Sequence, residues 1–111
     1  MKTYDPRIEG AGAVASREDR PASALVHDAP DARLVVFRIE PGQEVAPHTS
    51  PSTVILTIAE GSGVVLGGDG ERAVRAGEVV AYEPNERHGM RALDERLVVL
   101  AVIAPRPGAA R

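Results

Sequence analysis

Residues 42–61, GQEVAPHTSPSTVILTIAEG, decide the fold. The stretch opens at the Pro41-Gly42 turn, carries the lone histidine His48, runs into the β-branched segment TVILTIAE and stops at Gly61. β-branched residues bounded by turn residues are typical of β-strands. The sequence therefore predicts a strand with a histidine and hydroxyl residues at its entry.

Predicted strands and turns alternate along the rest of the chain. Apolar, β-branched runs occupy residues 33–40, 64–66, 71–76, 78–83 and 96–104, and SALVH at 23–27 is a further candidate strand. Turn signals recur about every 8–12 residues, the spacing typical of an all-β sandwich or barrel. Helical periodicity is missing, and only SREDR at 16–20 is a candidate for a short helical turn.

One domain is expected from 111 residues. We assign residues 1–20 to an N-terminal arm, 21–105 to the barrel and 106–111 to a C-terminal tail.

The amino-acid composition argues against several classes of function and so limits the candidates. Thirteen basic and sixteen acidic residues are scattered without a basic stripe, and only three residues are aromatic, so nucleic-acid binding is not expected. The chain has no cysteine, which excludes disulfides and thiol chemistry. No apolar run has membrane-spanning length and no signal peptide is recognisable, so we expect a cytoplasmic protein that does not bind membranes.

The opening stretch resembles the first motif of the cupin superfamily, which runs glycine, five residues, His-x-His, three or four residues, Glu, six residues, glycine. Gly42 and His48 match the first glycine and the first histidine. Ser50 falls on the second histidine, Val54 on the glutamate and Gly61 on the closing glycine. Two of the three ligand positions of this motif are therefore substituted.

Residues 77–92, GEVVAYEPNERHGMRA, resemble the second cupin motif. Gly77 and His88 match its glycine and histidine, Pro84 and Asn85 lie near its Pro-x-Gly turn, and Ala92 falls on its asparagine. The resemblance covers about residues 33–104. It implies an all-β fold, the double-stranded β-helix or jelly-roll barrel, with a pocket in the barrel.

The resemblance and the alternation of side chains along strands predict the pocket residues. His48 and His88 are the candidate metal ligands of a degenerate site, one that would hold Zn, Ni, Fe or Mn only weakly. His27 is a candidate for a third ligand. Glu83 and Glu86 are candidates for orienting His88. The predicted pocket lining is Ser50, Val54, Leu56, Met90 and Ala92.

The leading interpretation is a small single-domain cupin that binds a small organic molecule in its pocket. Two alternatives stay open: a metal-dependent enzyme of the dioxygenase or isomerase type that uses His48 and His88, and a ligand-sensing regulatory module. Whether the protein is an enzyme is left undecided by the sequence.

The last strand also predicts an assembly. From Leu97 to Ala104 it has no polar residue on either face. Leu97, Val99, Ala101 and Ile103 can point into the barrel, which leaves Val98, Leu100 and Val102 outside. Exposed apolar patches mark interaction surfaces, so we expect a homodimer that packs this face against its copy.

Overall fold

The computed structural model describes residues 1–108, and these residues form ten strands and one short helix. In chain order the elements are α1 (Pro6–Ala11), β1 (Val14–Ala15), β2 (Ala22–Ala29), β3 (Ala32–Ile39), β4 (Glu44–His48), β5 (Thr53–Glu60), β6 (Ser62–Gly67), β7 (Gly70–Arg75), β8 (Val79–Tyr82), β9 (His88–Ala92) and β10 (Leu97–Ala104).

The strands form two antiparallel sheets. One has six strands in the order β1-β2-β3-β10-β5-β8, and the other has four in the order β4-β9-β6-β7. Strands distant in sequence lie side by side, as β10 does between β3 and β5. The predicted all-β jelly-roll fold is confirmed.

The core lies between the two sheets and is almost wholly aliphatic. Leu97, Val99 and Ala101 of β10 are buried, as the alternation of its side chains predicts. Val65 and Met90 face them from the four-stranded sheet within the same cluster. At about 25 cal/mol per Å² of apolar surface, burial of this kind is the main term that stabilises the barrel.

Helix α1 covers part of the outer face of the six-stranded sheet. Asp5 caps it by accepting a hydrogen bond from the backbone N–H of Arg7, and Pro6 begins it, a position that favours proline. Gly10 packs so closely on the sheet that a Cβ there would lie 2.9 Å from Cγ1 of Val98. Arg38 holds the end of the helix by donating to the carbonyl oxygens of Gly10 and Ala11.

Three observations differ from the sequence expectations or refine them. The helix of the first twenty residues is Pro6–Ala11 and not SREDR, which forms only bends and a turn. The arm packs on the chain's own sheet, and it leaves Val98 only 2% exposed. Arg106 of the tail pairs with Asp28 of β2, while residues 109–111 lie outside the described residues.

Within residues 1–108, no helix is long and apolar enough to span a membrane.

Candidate ligand pocket

His48 and His88 form a cross-strand pair at one end of the four-stranded sheet. His48 ends β4, His88 begins β9, and the two residues lie directly opposite each other in the antiparallel ladder. Their Nε2 atoms are 3.1 Å apart and their ring centroids 4.2 Å apart, in an edge-to-face arrangement. Two residues forty positions apart in sequence thus converge on one point.

A bulge in β4 gives His48 its direction. Val45 pairs with Met90 and His48 with His88, so three steps along β4 match only two along β9. Side chains alternate along a regular strand, and Val45 and His48 would otherwise point to opposite faces. The extra residue of the bulge returns the side chain of His48 to the face of Val45, and both residues line the same cavity. Pro47 suits the irregular segment because it has no N–H to offer to a ladder.

A second contact ties the two turns that carry the histidines. The backbone N–H of Asn85 donates to the carbonyl oxygen of Ser50 at 2.7 Å. Asn85 has a φ of 67°, in the left-handed region that asparagine tolerates better than most residues other than glycine. Asn85 thereby makes the sharp turn at a place where the cupin motif has its Pro-x-Gly.

Backbone carbonyl groups fix the outer nitrogen of each ring. His48 Nδ1 lies 3.0 Å from the carbonyl oxygen of Ala46, and His88 Nδ1 lies 3.0 Å from that of Glu86. A carbonyl oxygen only accepts hydrogen bonds, so both Nδ1 atoms carry hydrogen. In the neutral rings, both Nε2 atoms therefore present lone pairs to the pocket.

The surroundings of His88 are less polar than those of His48. His88 is 7% exposed and packs against Tyr82 with ring centroids 5.1 Å apart, whereas His48 is exposed at the mouth. Burial lowers the pKa of His88 below the usual value for histidine, and the hydrogen bond to the Glu86 carbonyl opposes this only in part. Burial also raises the pKa of Tyr82 to about 12, so its neutral hydroxyl donates to Leu66.

A cavity of about 260 Å³ opens beside the histidine pair, between the two sheets. Within residues 1–108, no lining residue has a carboxylate, ammonium or guanidinium group. The polar side chains of the lining lie in or next to the turns that carry the histidines, and they belong to His48, His88, Thr49 and Ser50. The lining consists of Phe37, Val45, His48, Thr49, Ser50, Pro51, Val54, Leu56, His88, Gly89, Met90, Ala101, Ile103 and Pro107.

The structure places Ser50, Val54, Leu56 and Met90 against this cavity. Ala92 lies instead in the buried core, opposite Gly63 of β6. Ser50 also has a structural task, because its hydroxyl oxygen accepts a hydrogen bond from the backbone N–H of Ser52.

The other predicted site residues, Glu86, Glu83 and His27, are not brought together at one place in the structure. Glu86 holds His88 through its carbonyl group, while its carboxylate accepts from the N–H groups of Gly68 and Glu83. The Glu83 side chain is exposed. His27 pairs with Leu34 in the six-stranded sheet and is not among the described residues that line the cavity.

Sequence reasoning missed one wall of the pocket. Phe37 of β3, and Ala101 and Ile103 of β10, line it from the six-stranded sheet. Their inward direction was predictable by alternation, but their place opposite His48 depends on how the two sheets face each other. Pro107 reaches the cavity from the tail, and no local signal indicates that.

The donors present do not fit a resident metal ion. Two imidazole nitrogens converge, but the cavity lining has Ser50 and Val54 at the motif's other two ligand positions, and no group of three metal-binding side chains occurs within residues 1–108. Structural zinc sites use four protein ligands and catalytic ones three. A divalent charge would also enter an apolar cavity without a carboxylate to balance it.

A comparison with protein families agrees with the observed fold and with the two motif regions. The Cupin_2 family, described as the cupin domain, matches residues 35–103, which is most of the barrel. The chain belongs to this family of cupin proteins.

Solved structures show the same fold. An RmlC-like cupin protein from Desulfovibrio desulfuricans is 29% identical, with a TM-score of 0.78 over 95% of this chain and 97% of that one. A conserved double-stranded β-helix protein from Klebsiella pneumoniae is 26% identical, with a TM-score of 0.79 over 91% and 90%. A predicted oxalate decarboxylase from Thermotoga maritima is 24% identical, with a TM-score of 0.73 over 78% and 81%. A search of the curated proteins finds no match.

The close approach of β4 to β9 makes Gly89 sensitive to substitution. An alanine Cβ there would lie 3.0 Å from the carbonyl oxygen of Val45 and 3.1 Å from Cα of Pro47. We expect Gly89→Ala to push β4 away, to lower the free energy of unfolding by about 1–3 kcal/mol and to separate the two imidazoles. Urea denaturation measures the first effect, and NMR contacts between the rings measure the second.

Gly12→Ala is the matched control for Gly89→Ala. Gly12 has a φ of −90° and no atom closer than 3.9 Å to a built Cβ. Its substitution should leave the free energy of unfolding unchanged or slightly raised. If Gly89→Ala were as stable as Gly12→Ala, the described contact between Gly89 and Pro47 would be wrong.

Proposed function

We propose that this cupin binds a small, mainly apolar organic molecule in the cavity between its sheets, with His48 and His88 holding the polar end. The observation that carries the proposal is the cavity of about 260 Å³ with mainly apolar walls and converging imidazoles at one side. Ligand pockets are typically apolar with a few placed polar groups, and drug-sized ligands occupy about 300–1,000 Å³. The volume favours a ligand smaller than that.

The metal-dependent enzyme is the weaker alternative. A dioxygenase or isomerase of this kind needs a bound metal with open positions and an acid or base, and in the motif comparison Val54 falls on the position of the carboxylate ligand. The likeness to a predicted oxalate decarboxylase is at 24% identity and concerns the fold alone. A ligand-sensing module would use the same binding step, followed by contact with a partner protein.

Blocking the cavity tests the proposed function. Ala101 faces the cavity, so Ala101→Leu should fill it without disturbing the sheet. We expect NMR titration with 4-methylpentan-1-ol, 4-methylpentanoate and benzoate to shift the signals of His88 and Met90 in the wild type for at least one probe, and not in Ala101→Leu.

The control for this experiment is Ala81→Leu, which adds the same side chain at an exposed position of β8. It should bind like the wild type. Ile103→Phe blocks the cavity from a second position, in case Ala101→Leu does not fold. Binding that survives both blocking variants, or no binding of any probe by the folded wild type, would contradict the proposed function.

The metal content of untagged protein is a second expected outcome. We expect less than one equivalent of Zn, Ni, Fe or Mn after purification without chelators, because two imidazoles bind more weakly than three or four ligands. Ser50→His with Val54→Glu should raise the affinity for these ions strongly, as both positions line the cavity beside the histidines. Isothermal titration with each ion measures the change.

The matched control pairs Ser50→His with Thr57→Glu. Thr57 lies on β5 opposite Leu100, on the outer face, so its carboxylate cannot reach the pair. One full equivalent of a single metal in the wild type would contradict the expectation. A restored variant with the affinity of the control would show that the motif alignment is wrong.

We also propose a homodimer through the outer face of the six-stranded sheet. Leu100 and Val102 are half-buried there, next to Leu34 and Ile55 in the register of the sheet. Because α1 covers Val98, the proposed interface rests on Leu100 and Val102.

An aspartate on this face tests the dimer. Light scattering at micromolar concentration should give twice the monomer mass for the wild type and the monomer mass for Leu100→Asp, because a buried unpaired charge opposes association. Leu93→Asp is the control, since Leu93 is 48% exposed between β9 and β10. A monomeric wild type would contradict the proposal.

A further inference from the structure

The mouth of the cavity lies between the turn after His48 and the C-terminal tail. The exposed residues of the lining are His48, Thr49, Pro51 and Pro107, and the other lining residues are half-buried or buried. Exposed lining residues mark the place where a cavity meets the solvent. A ligand that enters the cavity therefore passes Pro107 on one side and the histidine turn on the other.

A row of paired residues connects the cavity wall with an ion pair on the same face of the six-stranded sheet. In the registers of the sheet, Ile103 lies between Val54 and Arg33. Arg33 in turn lies opposite Asp28 and pairs with its carboxylate. Directly opposed residues of an antiparallel pair share a face, with Cβ atoms about 4.5–5.5 Å apart. Because Val54 and Ile103 line the cavity, the ion pair lies on the inner face just beyond its rim.

The C-terminal tail brings a second guanidinium group to this ion pair. Arg106 directly precedes Pro107, and its backbone N–H donates to the carbonyl oxygen of Pro30 at 3.1 Å. One residue earlier, the carbonyl oxygen of Pro105 accepts a hydrogen bond of 2.5 Å from the hydroxyl group of the buried Ser52. The backbone on both sides of this peptide bond is thus fixed, and it holds the arginine beside the mouth.

The three charged groups, which we name the rim cluster, carry one positive charge in excess. Nε of Arg33 and Nη1 of Arg106 each lie 3.3 Å from the same oxygen, Oδ1 of Asp28. Within residues 1–108, Asp28 is the one ion-pair partner of either guanidinium. A guanidinium has five N–H donors, so most donors of both groups remain for another acceptor. Asp31 in the adjacent turn is exposed, and water and salt screen its charge.

The rim cluster differs from the other surface ion pairs of the chain. Arg72 and Asp69 pair one to one, and the Arg72 side chain is 73% exposed. The side chains of Arg33 and Arg106 are only 32% exposed, and two of them share one carboxylate next to an apolar wall. Charges interact more strongly where less water surrounds them. The excess charge of the rim cluster is therefore better placed to attract an anion than an ordinary surface arginine.

We propose that Arg33 and Arg106 form an anion site at the mouth, which holds the one negatively charged group of an amphipathic ligand whose apolar body lies in the cavity. The inference rests on the proposed function and adds an anionic group to its ligand. A carboxylate fits best, because it brings one negative charge to one excess positive charge and accepts two parallel N–H bonds from a guanidinium. The carboxylate lies outside the uncharged lining, and no proton on either histidine is needed.

An acid and an amide of the same shape test the anion site. Isothermal titration at about pH 8 compares 4-methylpentanoate with 4-methylpentanamide, since at this pH free imidazole is neutral and guanidinium groups stay charged. We expect the acid to bind about fivefold more tightly at low salt, which corresponds to the upper range measured for exposed ion pairs. The ratio of the two affinities should fall at about 0.5 M salt, because ions screen the attraction.

Arginine variants show whether the rim cluster causes the preference. Arg33→Gln and Arg106→Gln should each lower the ratio of acid to amide affinity, and the double variant should bring it to about one, with the affinity for the amide unchanged. Arg33→Lys should keep part of the preference, because lysine keeps the charge and loses the planar fork. Arg72→Gln is the matched control and should keep the wild-type ratio, since Arg72 lies on β7 away from the cavity lining.

The outcomes separate this inference from the proposed function. An equal affinity of the wild type for acid and amide, or a ratio that both arginine variants leave unchanged, would overturn the anion site and keep the pocket as a ligand site. The same holds if Ala101→Leu abolishes amide binding and the acid still binds, because the anion would then bind apart from the cavity. No binding of acid, amide or 4-methylpentan-1-ol by the folded wild type would overturn both.

Discussion

The antiparallel pairing of β4 with β9 is the constraint on which the site depends. It sets His48 opposite His88, and the bulge before His48 turns the ring toward the cavity. Gly89 permits the strands to approach, and the bond from Asn85 to Ser50 joins the turns beyond them. Each of these contacts is made by backbone atoms, so the position of the imidazoles is a property of the sheet and varies little with the side chains that line the pocket.

The electrostatics follow from this placement. Backbone carbonyls at both Nδ1 atoms leave the inner nitrogens as acceptors, and the hydroxyl groups of Thr49 and Ser50 are the other polar side-chain groups in the described lining. The cupin motif places further ligands at the positions of Ser50 and Val54, and their absence changes the chemistry of the same scaffold. An uncharged lining favours ligands that bring no net charge into the cavity.

Features that depend on neighbours in sequence were predicted better than features that depend on contacts between distant parts of the chain. Turn residues such as Pro41-Gly42 marked the strand ends, and alternation gave the inward set of β10, including Ala101, because both depend on neighbours in sequence. The bulge in β4 depends on the partner strand and was not predictable. Asp5 followed by Pro6 is a helix-start signal, but a helix of six residues is too short to show periodicity. The covering of Val98 was missed for that reason.

The first and last segments that the structure describes have different surroundings. The N-terminal helix lies on the outer face of the six-stranded sheet, whereas Pro107 lines the cavity and Arg106 is held by Asp28. A polyhistidine tag fused after Arg111 would begin four residues beyond Pro107, which lines the same cavity as the imidazole pair, and would add metal-binding imidazoles to that end of the chain. Metal found in such a preparation would belong to the tag, and the N-terminus is the better point of attachment.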